Sequence, residues 1–423
     1  MSDTRSRGGL GAAEGAEGAG RAGRVDAGGE GRISLLLLSV LALLSAVAPF
    51  ATDMYLPSFT AMAHDFRTSA ADVQLTLTAF LIGLAAGQLV IGPVSDRLGR
   101  RRPLLLFSAL AVAAAVLCAL APSVWFLIGF RFVQGFAGAA GVVIGRAVVA
   151  DRARGRAAAR AMSVLMSING VAPVVAPLIG GALAGSVGWR GVMWVLTGIS
   201  ALMFLGSLLV VGESLPPERR HGGGLAATGR HLGTLVGNRA YVGYGLAFAL
   251  TFGCLMAYIS ASPWVFQNVI GLSTGAYSVT FAVNSCVLIL ASVVNHRLVS
   301  RFEPGSVEVV AQGVVLVAAA ALAVLVLSGA VTLWTVEGTL VVMLFGVGLV
   351  MSNASALAVG EARRIAGTAS ALMGAAQFGL GALVSPLVGL GGAATAVPMA
   401  VVVLVSAVLA AAGTALARRA HRR

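Results

Sequence analysis

The stretch Gly92-Pro-Val-Ser-Asp-Arg-Leu-Gly-Arg-Arg-Arg102 is a short charged turn between two long apolar segments. Apolar runs of about 20 residues recur along the chain, and such a run is long enough to cross about 30 Å of hydrocarbon. Of the 423 residues, 58% are hydrophobic and 11% are charged, and an average soluble protein carries about twice that charge. The sequence therefore predicts an all-α polytopic membrane protein and disfavours a soluble two-domain enzyme.

The net charge of +13 has an alternating distribution along the chain, which contains no lysine. Arginines cluster before the first span, at Arg97–Arg102 after the second and at Arg152–Arg160 after the fourth, whereas the loops between are nearly bare apart from Arg67 and Arg190. This alternation follows the positive-inside rule, which predicts that both termini and the turn Gly92–Arg102 are cytoplasmic. Topology accounts for the charge, so we expect no nucleic-acid partner.

The apolar runs predict twelve spans in two groups of six. Their approximate ranges are 33–63, 73–94, 103–120, 124–150, 161–184, 191–212, 241–264, 276–295, 307–327, 331–359, 366–390 and 394–416. We therefore predict a first bundle at 32–212, a cytoplasmic linker at 213–240, a second bundle at 241–417 and a basic cytoplasmic tail at 418–423. Residues 1–31 are Gly, Ala and charged residues without periodicity, which predicts a disordered cytoplasmic segment and not a cleaved signal.

Weak internal repeats indicate that the two groups of six are related. The start of the charged turn, Gly92–Arg97, resembles Ala291–Arg297, and Ala176–Gly180 in span 5 resembles Ser385–Gly389 in span 11. Both matches fall at corresponding positions of the two halves, as an internal duplication requires. The three cysteines lie inside apolar spans with no metal or disulfide spacing, so we expect no bound metal.

Asp53 is the strongest candidate for chemistry, because we take it as the only acid clearly inside a predicted span. A carboxylate there costs several kcal/mol unless it is neutralised or paired, which suits a group that takes up a proton on one side and releases it on the other. Pro57 cannot donate to the Asp53 carbonyl, so we expect a break in the helix. The alternative is that Asp53 only caps a helix end at the outer interface.

Arg131 lies about two turns into span 4, where a permanent cation needs an acidic, aqueous or ligand partner. If spans 1 and 4 are neighbours around a cavity, Arg131 pairs with Asp53 and makes proton and ligand binding competitive. The alternative is that Arg131 extends to the outer headgroups or bonds backbone carbonyls.

The charged turn also matches the loop 2–3 signature Gly-x-x-x-Asp-Arg-x-Gly-Arg-Arg of the major facilitator superfamily. Further stretches resemble its bicyclomycin and chloramphenicol resistance (Bcr/CflA) branch: Asp53–Pro57, Arg131–Gly135, Ala172–Gly181, Ser262–Gln267 and Arg364–Ala371. The resemblance implies two pseudo-symmetric six-helix bundles, neighbouring spans 1 and 4, and drug:proton antiport. It covers spans 1 to 11, with one departure, since Ala172-Pro173 or Ala176-Pro177 stands where the antiporter pattern of span 5 has Gly-Pro.

The resemblance implies a conformational gate formed by the loop 2–3 motif, in which a charge cluster holds the two halves together in the outward-facing state. Its predicted members are Gly92, Asp96, Arg97, Gly99, Arg100, Arg101 and Asp151. Asp96 and Arg100 are four residues apart, as a helical ion pair requires, and the two glycines allow close approach or positive φ. The alternative is that the arginines only set topology, which leaves Asp96 and the glycines unexplained.

Polar and small residues inside the spans supply the remaining candidates. Pro173, Pro177, Gly180 and Gly181 in span 5 form an antiporter-like motif that permits a tight contact with a neighbouring helix, although glycine-mediated packing is common in membranes. A mostly apolar substrate cavity with few polar groups is predicted to include Tyr55, Gln134, Asn169, Tyr258, Asn284, Asn353 and Gln377. Each of these side chains has the alternative role of a hydrogen bond between helices.

The functional expectation is proton-coupled efflux of lipophilic, drug-sized antimicrobials by alternating access. We expect a monomer in the inner (cytoplasmic) membrane, with a small-molecule drug, protons and lipid as partners and the proton gradient in place of a cofactor. A facilitator or proton-coupled transporter of a small metabolite on the same fold is the alternative. An enzyme or sensor is disfavoured, because the five histidines fall in loops or tails without the spacing of a site.

Overall fold

A computed structural model describes residues 34–153, 155–220, 233–362 and 365–421. Over these ranges the chain is helical and contains no β-strand. The segment predicted to be disordered, 1–31, lies outside the described residues, as do Arg364 of the recognised motifs, most of the linker after Arg220 and the last two arginines of the tail. The span numbers introduced above are kept for the helices.

Most spans are single long helices. Their bounds are Ala70–Leu98 for span 2, Arg101–Ala119 for span 3, Val124–Arg152 for span 4, Arg239–Trp264 for span 7, Thr274–Leu298 for span 8, Pro304–Leu327 for span 9, Leu333–Glu361 for span 10, Ala366–Leu387 for span 11 and Val397–His421 for span 12. Span 7 continues as one π-helical turn, Val265–Val269. These helices are all long and apolar enough to cross a membrane.

Span 1 is broken where the sequence predicts it. The helices Leu35–Ser45 and Val47–Asp53 are followed by a 3₁₀ turn, Leu56–Ser58, and by the helix Phe59–Asp65. The segment after Ser45 is bent by 40° relative to the one before it. Pro57 lies within the 3₁₀ turn, so the loss of its N–H interrupts the helix directly after Asp53.

Spans 5 and 6 form one run of helical residues, Gly155–Val210, which breaks at Gly188. Gly188 has φ 66° and ψ −179°, a backbone conformation that residues other than glycine rarely adopt. The 51-residue segment Arg160–Val210 would extend about 75 Å as one helix, more than twice the thickness of the hydrocarbon core. The break therefore divides it into two crossings, and the described chain makes twelve.

Short polar residues determine where several spans begin. Ser69 accepts a hydrogen bond from the backbone N–H of Asp72, and the Asp72 carboxylate accepts one from the Ser69 backbone, which forms a capping box at the start of span 2. Ser123 and Ser273 cap spans 4 and 8 in the same way with their hydroxyls. Each cap satisfies a backbone donor that a helix leaves unpaired at its N-terminus.

The basic turn Gly92–Arg102 lies at one end of the bundle, which we call the basic face, and we call the other end the opposite face. The two halves contact each other at the opposite face. Span 2 packs against span 11, and span 5 packs against span 8. Gln74 donates to the Ser260 carbonyl oxygen at 3.0 Å, and Gln267 donates to the Pro57 carbonyl oxygen at 3.3 Å. These uncharged hydrogen bonds close the opposite face around a central cavity.

Candidate functional site

A cavity of about 230 Å³ lies between the two halves of the bundle. Spans 1, 2 and 5 from the first half and spans 7, 8 and 11 from the second half contribute to its wall. Most of the wall is apolar and aromatic: Leu81, Phe252, Leu255, Met256, Ile259, Phe281, Leu288 and Phe378. Thr52, Asp53, Asn169, Tyr258, Asn284, Ser285 and Gln377 supply polar groups. Such a wall suits a lipophilic ligand with a few directed polar contacts.

Asp53 lies on this wall and is the last residue of the second helix of span 1. Its side chain is buried, with 4% of the residue exposed. Its Oδ1 accepts a hydrogen bond of 2.8 Å from the Thr52 hydroxyl, and no described cation forms an ion pair with it. Asp53 thus ends a helix, but it does so inside the cavity and not at the outer interface.

The expected Asp53–Arg131 ion pair is wrong for this structure. Arg131 is fully buried and donates to the Ala51 carbonyl oxygen at 2.7 Å and to Gln134 Oε1 at 2.8 Å. Its guanidinium lies 4.5 Å from the centroids of the Tyr55 and Phe80 rings. Cation–π contacts and hydrogen bonds therefore replace the carboxylate partner, and the alternative of bonding a backbone carbonyl is the one observed.

Four of the seven predicted cavity residues line the cavity: Asn169, Tyr258, Asn284 and Gln377. The other three lie elsewhere. Tyr55 contacts Arg131 and hydrogen-bonds Thr76, and Gln134 accepts from Arg131. Asn353 donates to Asn295 Oδ1 at 2.7 Å, between spans 10 and 8. For these three side chains the structure shows the alternative role, a hydrogen bond inside the helix bundle.

Sequence analysis missed two acids, and the statement that Asp53 is the only acid clearly inside a span is wrong. Glu337 lies in span 10 and accepts a hydrogen bond of 3.1 Å from Asn284 Nδ2. Glu308 in span 9 is fully buried and accepts one of 2.6 Å from Thr414. Both residues fall within the ranges predicted for their spans. Because a carboxylate inside the membrane is costly, every acid within a predicted span is a candidate functional residue, and this criterion would have identified both.

The predicted gate residues form a charge cluster at the basic face. Arg100 pairs with Asp96 at 2.5 Å and with Asp151 at 3.1 Å, which brings together the ends of spans 2, 3 and 4. Gly99 ends span 2 with φ 89°, a conformation that favours glycine. Arg101 donates to the Leu208 carbonyl oxygen of span 6 at 3.3 Å. The described hydrogen-bond and ion-pair partners of this cluster belong to the first half and to the start of the linker, where the Ser214 hydroxyl donates to Asp151 Oδ2 at 2.8 Å.

Other residues of the motif contribute less to the cluster. Gly92 accepts a hydrogen bond from the Ser95 hydroxyl at 2.9 Å, and Arg97 is exposed. Ser95 in turn accepts from Arg100 Nη1 at 2.8 Å. Ser95 thus links Gly92 to Arg100 by hydrogen bonds, whereas Arg97 contributes its positive charge to the basic face.

Glu213, which follows span 6, completes this cluster and was not predicted. Its Oε1 accepts from the Arg100 N–H at 2.8 Å and its Oε2 from the Arg101 N–H at 3.3 Å, so it caps the start of span 3. Partial burial acts to raise the pKa of Glu213, but hydrogen bonds from four backbone N–H groups, including those of Ser214 and Leu215, hold the pKa below its usual value. A carboxylate at a helix N-terminus is also favoured by the helix dipole.

The span 5 motif makes the contacts with spans 1 and 8. Gly180 packs against the backbone of Met54 in the break of span 1, and Gly181 packs against Ser278 of span 8. The Pro173 carbonyl oxygen accepts from the Ser285 hydroxyl of span 8 at 3.0 Å, and Pro173 also lines the cavity. The helix continues through Pro173 and Pro177. The motif therefore joins the break in span 1 to the contact between the halves.

A broken first span, two halves around a central cavity and a charged turn are features of a membrane transporter. The sequence profile of the Major Facilitator Superfamily matches residues 41–386. The chain belongs to this superfamily and is a multi-pass membrane transporter of small molecules, not an enzyme.

Relatives by sequence cover nearly the whole chain. The "Uncharacterized MFS-type transporter YdgK" of Bacillus subtilis (strain 168) is 37% identical over 388 residues, which cover 90% of this chain and 94% of that protein. The "Bicyclomycin resistance protein homolog" of Haemophilus influenzae is 31% identical over 378 residues, covering 86% and 92%. The name of the second relative agrees with the branch to which the motifs pointed.

Solved structures share the fold at low identity. An inward-facing, occupied bacterial homologue of the human lysosomal transporter Spinster has a TM-score of 0.70 at 18% identity, covering 91% of this chain and 96% of that one. A D-xylose–proton symporter has a TM-score of 0.71 at 15% identity, covering 90% and 96%. At these identities the likeness shows the fold alone.

Proposed function

We propose that this transporter exports lipophilic, drug-sized compounds in exchange for protons. The observation that carries the proposal is Asp53, a buried carboxyl on the wall of an apolar cavity between the halves, with no described cation beside it. An unpaired charge at such a depth costs several kcal/mol, so a proton or a bound ligand group must offset it. One side chain can in this way link proton binding to ligand binding.

The sidedness of the cycle follows from the arginines. The basic face carries Arg97 to Arg102 and Arg152, which assigns it and both termini to the cytoplasm by the positive-inside rule. The halves are closed at the opposite face, so a ligand loads from the cytoplasm while Asp53 is deprotonated. Protonation from outside then releases it. Each proton that enters across 100 mV supplies about 2.3 kcal/mol, which suffices to concentrate a neutral drug about 50-fold.

We assign the charge cluster of Arg100 to the outward-facing state of the same cycle. In the present arrangement its described partners lie in the first half and at the start of the linker, so it leaves the basic face free to open. Closing that face brings the second half against the cluster, as the resemblance implies for the outward-facing state. The proposal includes a monomer in the inner membrane, with the proton gradient as its energy source and no cofactor.

The test is Asp53→Asn in an efflux-deficient host and in everted membrane vesicles. The wild type should raise resistance to several lipophilic antimicrobials and drive their uptake into energised vesicles, and a protonophore should stop that uptake. Asp53→Asn should abolish both effects and still elute as a folded protein. Asp65→Asn is the matched control, because Asp65 lies on the same span as Asp53 and forms an exposed ion pair with Arg190 of span 6. Such exposed pairs contribute little to stability.

Two outcomes would contradict the proposal. Undiminished proton-driven efflux by Asp53→Asn would remove this residue from coupling. Transport of a metabolite that a protonophore leaves unchanged would favour the facilitator alternative.

A further inference from the structure

A second carboxyl contacts the wall of the same cavity from the other half. Glu337 of span 10 is half-buried, and its Oε2 accepts a hydrogen bond of 3.1 Å from Asn284 Nδ2. The same Nδ2 atom donates to the Tyr258 hydroxyl at 3.1 Å. Asn284 and Tyr258 both line the cavity, whereas Glu337 lies behind them. Asp53 and Glu337 thus reach the cavity from opposite halves of the molecule.

One polar atom of the Asn284 side chain has no hydrogen-bond partner. Its Oδ1 is buried and has no hydrogen-bond partner, and only 1% of the residue is exposed. An unpaired buried amide oxygen is costly, because it loses its hydrogen bonds to water without replacement. Asn284 lines the cavity, so its amide is the group through which a bound ligand can satisfy this enclosed oxygen.

The surroundings of Glu337 offer it no counter-ion. Span 10 packs against spans 7, 8, 9 and 11. Tyr258 from span 7 and Asn284 from span 8 are the polar groups facing the carboxyl, and the described parts of spans 9 and 11 place no titratable or charged side chain against it. Asp53, across the cavity, is the other acid of the site. Within the membrane such a carboxylate is stabilised by a proton or by a cation brought in by a ligand.

We propose that Glu337 is a second proton-binding group, and that its protonation reverses the amide of Asn284 and so changes the polar atom that the cavity presents to a ligand. This assignment deepens the proposed function and rests on it for the direction of proton flow. It does not depend on the role of Asp53. Neither the sequence motifs nor the named relatives assign a role to this residue.

The hydrogen-bond pattern supports two alternative orientations of Asn284. With Glu337 as a carboxylate, Asn284 Nδ2 donates to both Glu337 and Tyr258, as observed, and Asn284 Oδ1 has no partner. When a proton from water binds Oε2, both partners have an O–H to donate. The amide then rotates by about half a turn, Oδ1 accepts from both, and Nδ2 becomes the free atom. One proton thereby converts an acceptor at the cavity wall into a donor.

The position of Glu337 gives protons access from the side that the antiport cycle requires. It is the fifth residue of the helix Leu333–Glu361, about 6 Å along the axis from its N-terminus. That end of span 10 lies at the opposite face, which is assigned to the outside. Asn284 connects this position to the cavity, so an external proton can alter ligand binding while the opposite face is closed.

Infrared difference spectroscopy of the reconstituted protein tests the protonation directly. Measured in an Asp53→Asn background, a carboxylic acid band should disappear reversibly as the pH rises from 5 to 9. Adding Glu337→Gln should remove that band, whereas the matched change Glu308→Gln should leave it, because Glu308 accepts from Thr414 of span 12 and has no described hydrogen bond to Asn284. A spectrum in which Glu337→Gln removes no titrating band would overturn the proposal.

Ligand binding tests the switch. With chloramphenicol, whose charge is constant between pH 6 and pH 8, the affinity of the Asp53→Asn background should change by roughly three- to tenfold, the value of one exchanged hydrogen bond. In the same background Glu337→Gln removes the titrating group, so the affinity should no longer change with pH. Asn284→Leu should lose the pH dependence but keep the infrared band.

Failure of this proposal can be told apart from failure of the proposed function. If adding Glu337→Gln to Asp53→Asn leaves the pH dependence of that background intact, the switch is overturned and the Asp53 assignment stands. Conversely, titration of Glu337 in a protein that shows no proton-driven export would support the second proton site and refute the proposed export function. Monodisperse elution of each variant confirms that it is folded.

Discussion

Gly180 provides the sharpest test of how the break in span 1 is held. A β-carbon at this position would lie 2.7 Å from the carbonyl carbon of Met54, whereas carbon atoms in contact are separated by about 3.5–4.0 Å. The Met54 carbonyl oxygen is closer still, so the two segments must separate by more than about 1 Å to accept Gly180→Ala. The neighbour is backbone, so a side-chain rotation cannot relieve the contact. Met54 follows Asp53 directly, and the shift reaches the proposed proton site.

The magnitude follows from a comparison with Gly185 on the same helix. A β-carbon at Gly185 has no neighbour within 4 Å. Both substitutions gain the same helix propensity, about 1 kcal/mol, so this term cancels between them. The remaining difference is the cost of overpacking, about 1–3 kcal/mol against Gly180→Ala.

Thermal unfolding of the two purified variants measures this difference, and uptake into everted vesicles measures transport. Gly185→Ala should be at least as stable as the wild type and fully active. Gly180→Ala should unfold at a lower temperature than Gly185→Ala and lose export. Equal stability and equal activity of the two variants would refute the contact between Gly180 and Met54 as the element that positions Asp53.

Two further changes test the two ends of the first bundle. Arg131→Met should lower the free energy of unfolding by about 1–3 kcal/mol, because buried acceptors lose their donor, and a second change, Gln134→Leu, should recover part of the loss in thermal unfolding. An Arg131→Met variant as stable as the wild type would contradict this. Glu213→Gln should lower the melting temperature at pH 7. Because the pKa of Glu213 is held below its usual value, its stabilisation is present above that value and lost as the pH falls through the lowered pKa. The difference between wild type and Glu213→Gln should therefore shrink in acid, and a constant difference down to pH 3 would argue against it.

Much of the architecture was accessible from sequence because membrane crossing depends on local composition. Each apolar run marks a span, and Pro57 and Gly99 mark a break and a helix end through their own backbone chemistry. The charge cluster of Arg100 was also accessible, because Asp96 is only four residues away along the chain. Glu213 was not, since it reaches the start of span 3 from more than a hundred residues away.

The sequence by itself determined the membrane class, the number of spans and the presence of a buried acid at Asp53. Only the tertiary structure decided which partners the buried polar groups have. Arg131 bonds a carbonyl and two aromatic rings and not Asp53, and Glu337 reaches the cavity through Asn284. The physical reason is that membrane insertion depends on the hydrophobicity of each segment by itself. The hydrogen-bond partner of a buried polar side chain depends instead on which atom of another helix lies within about 3 Å of it.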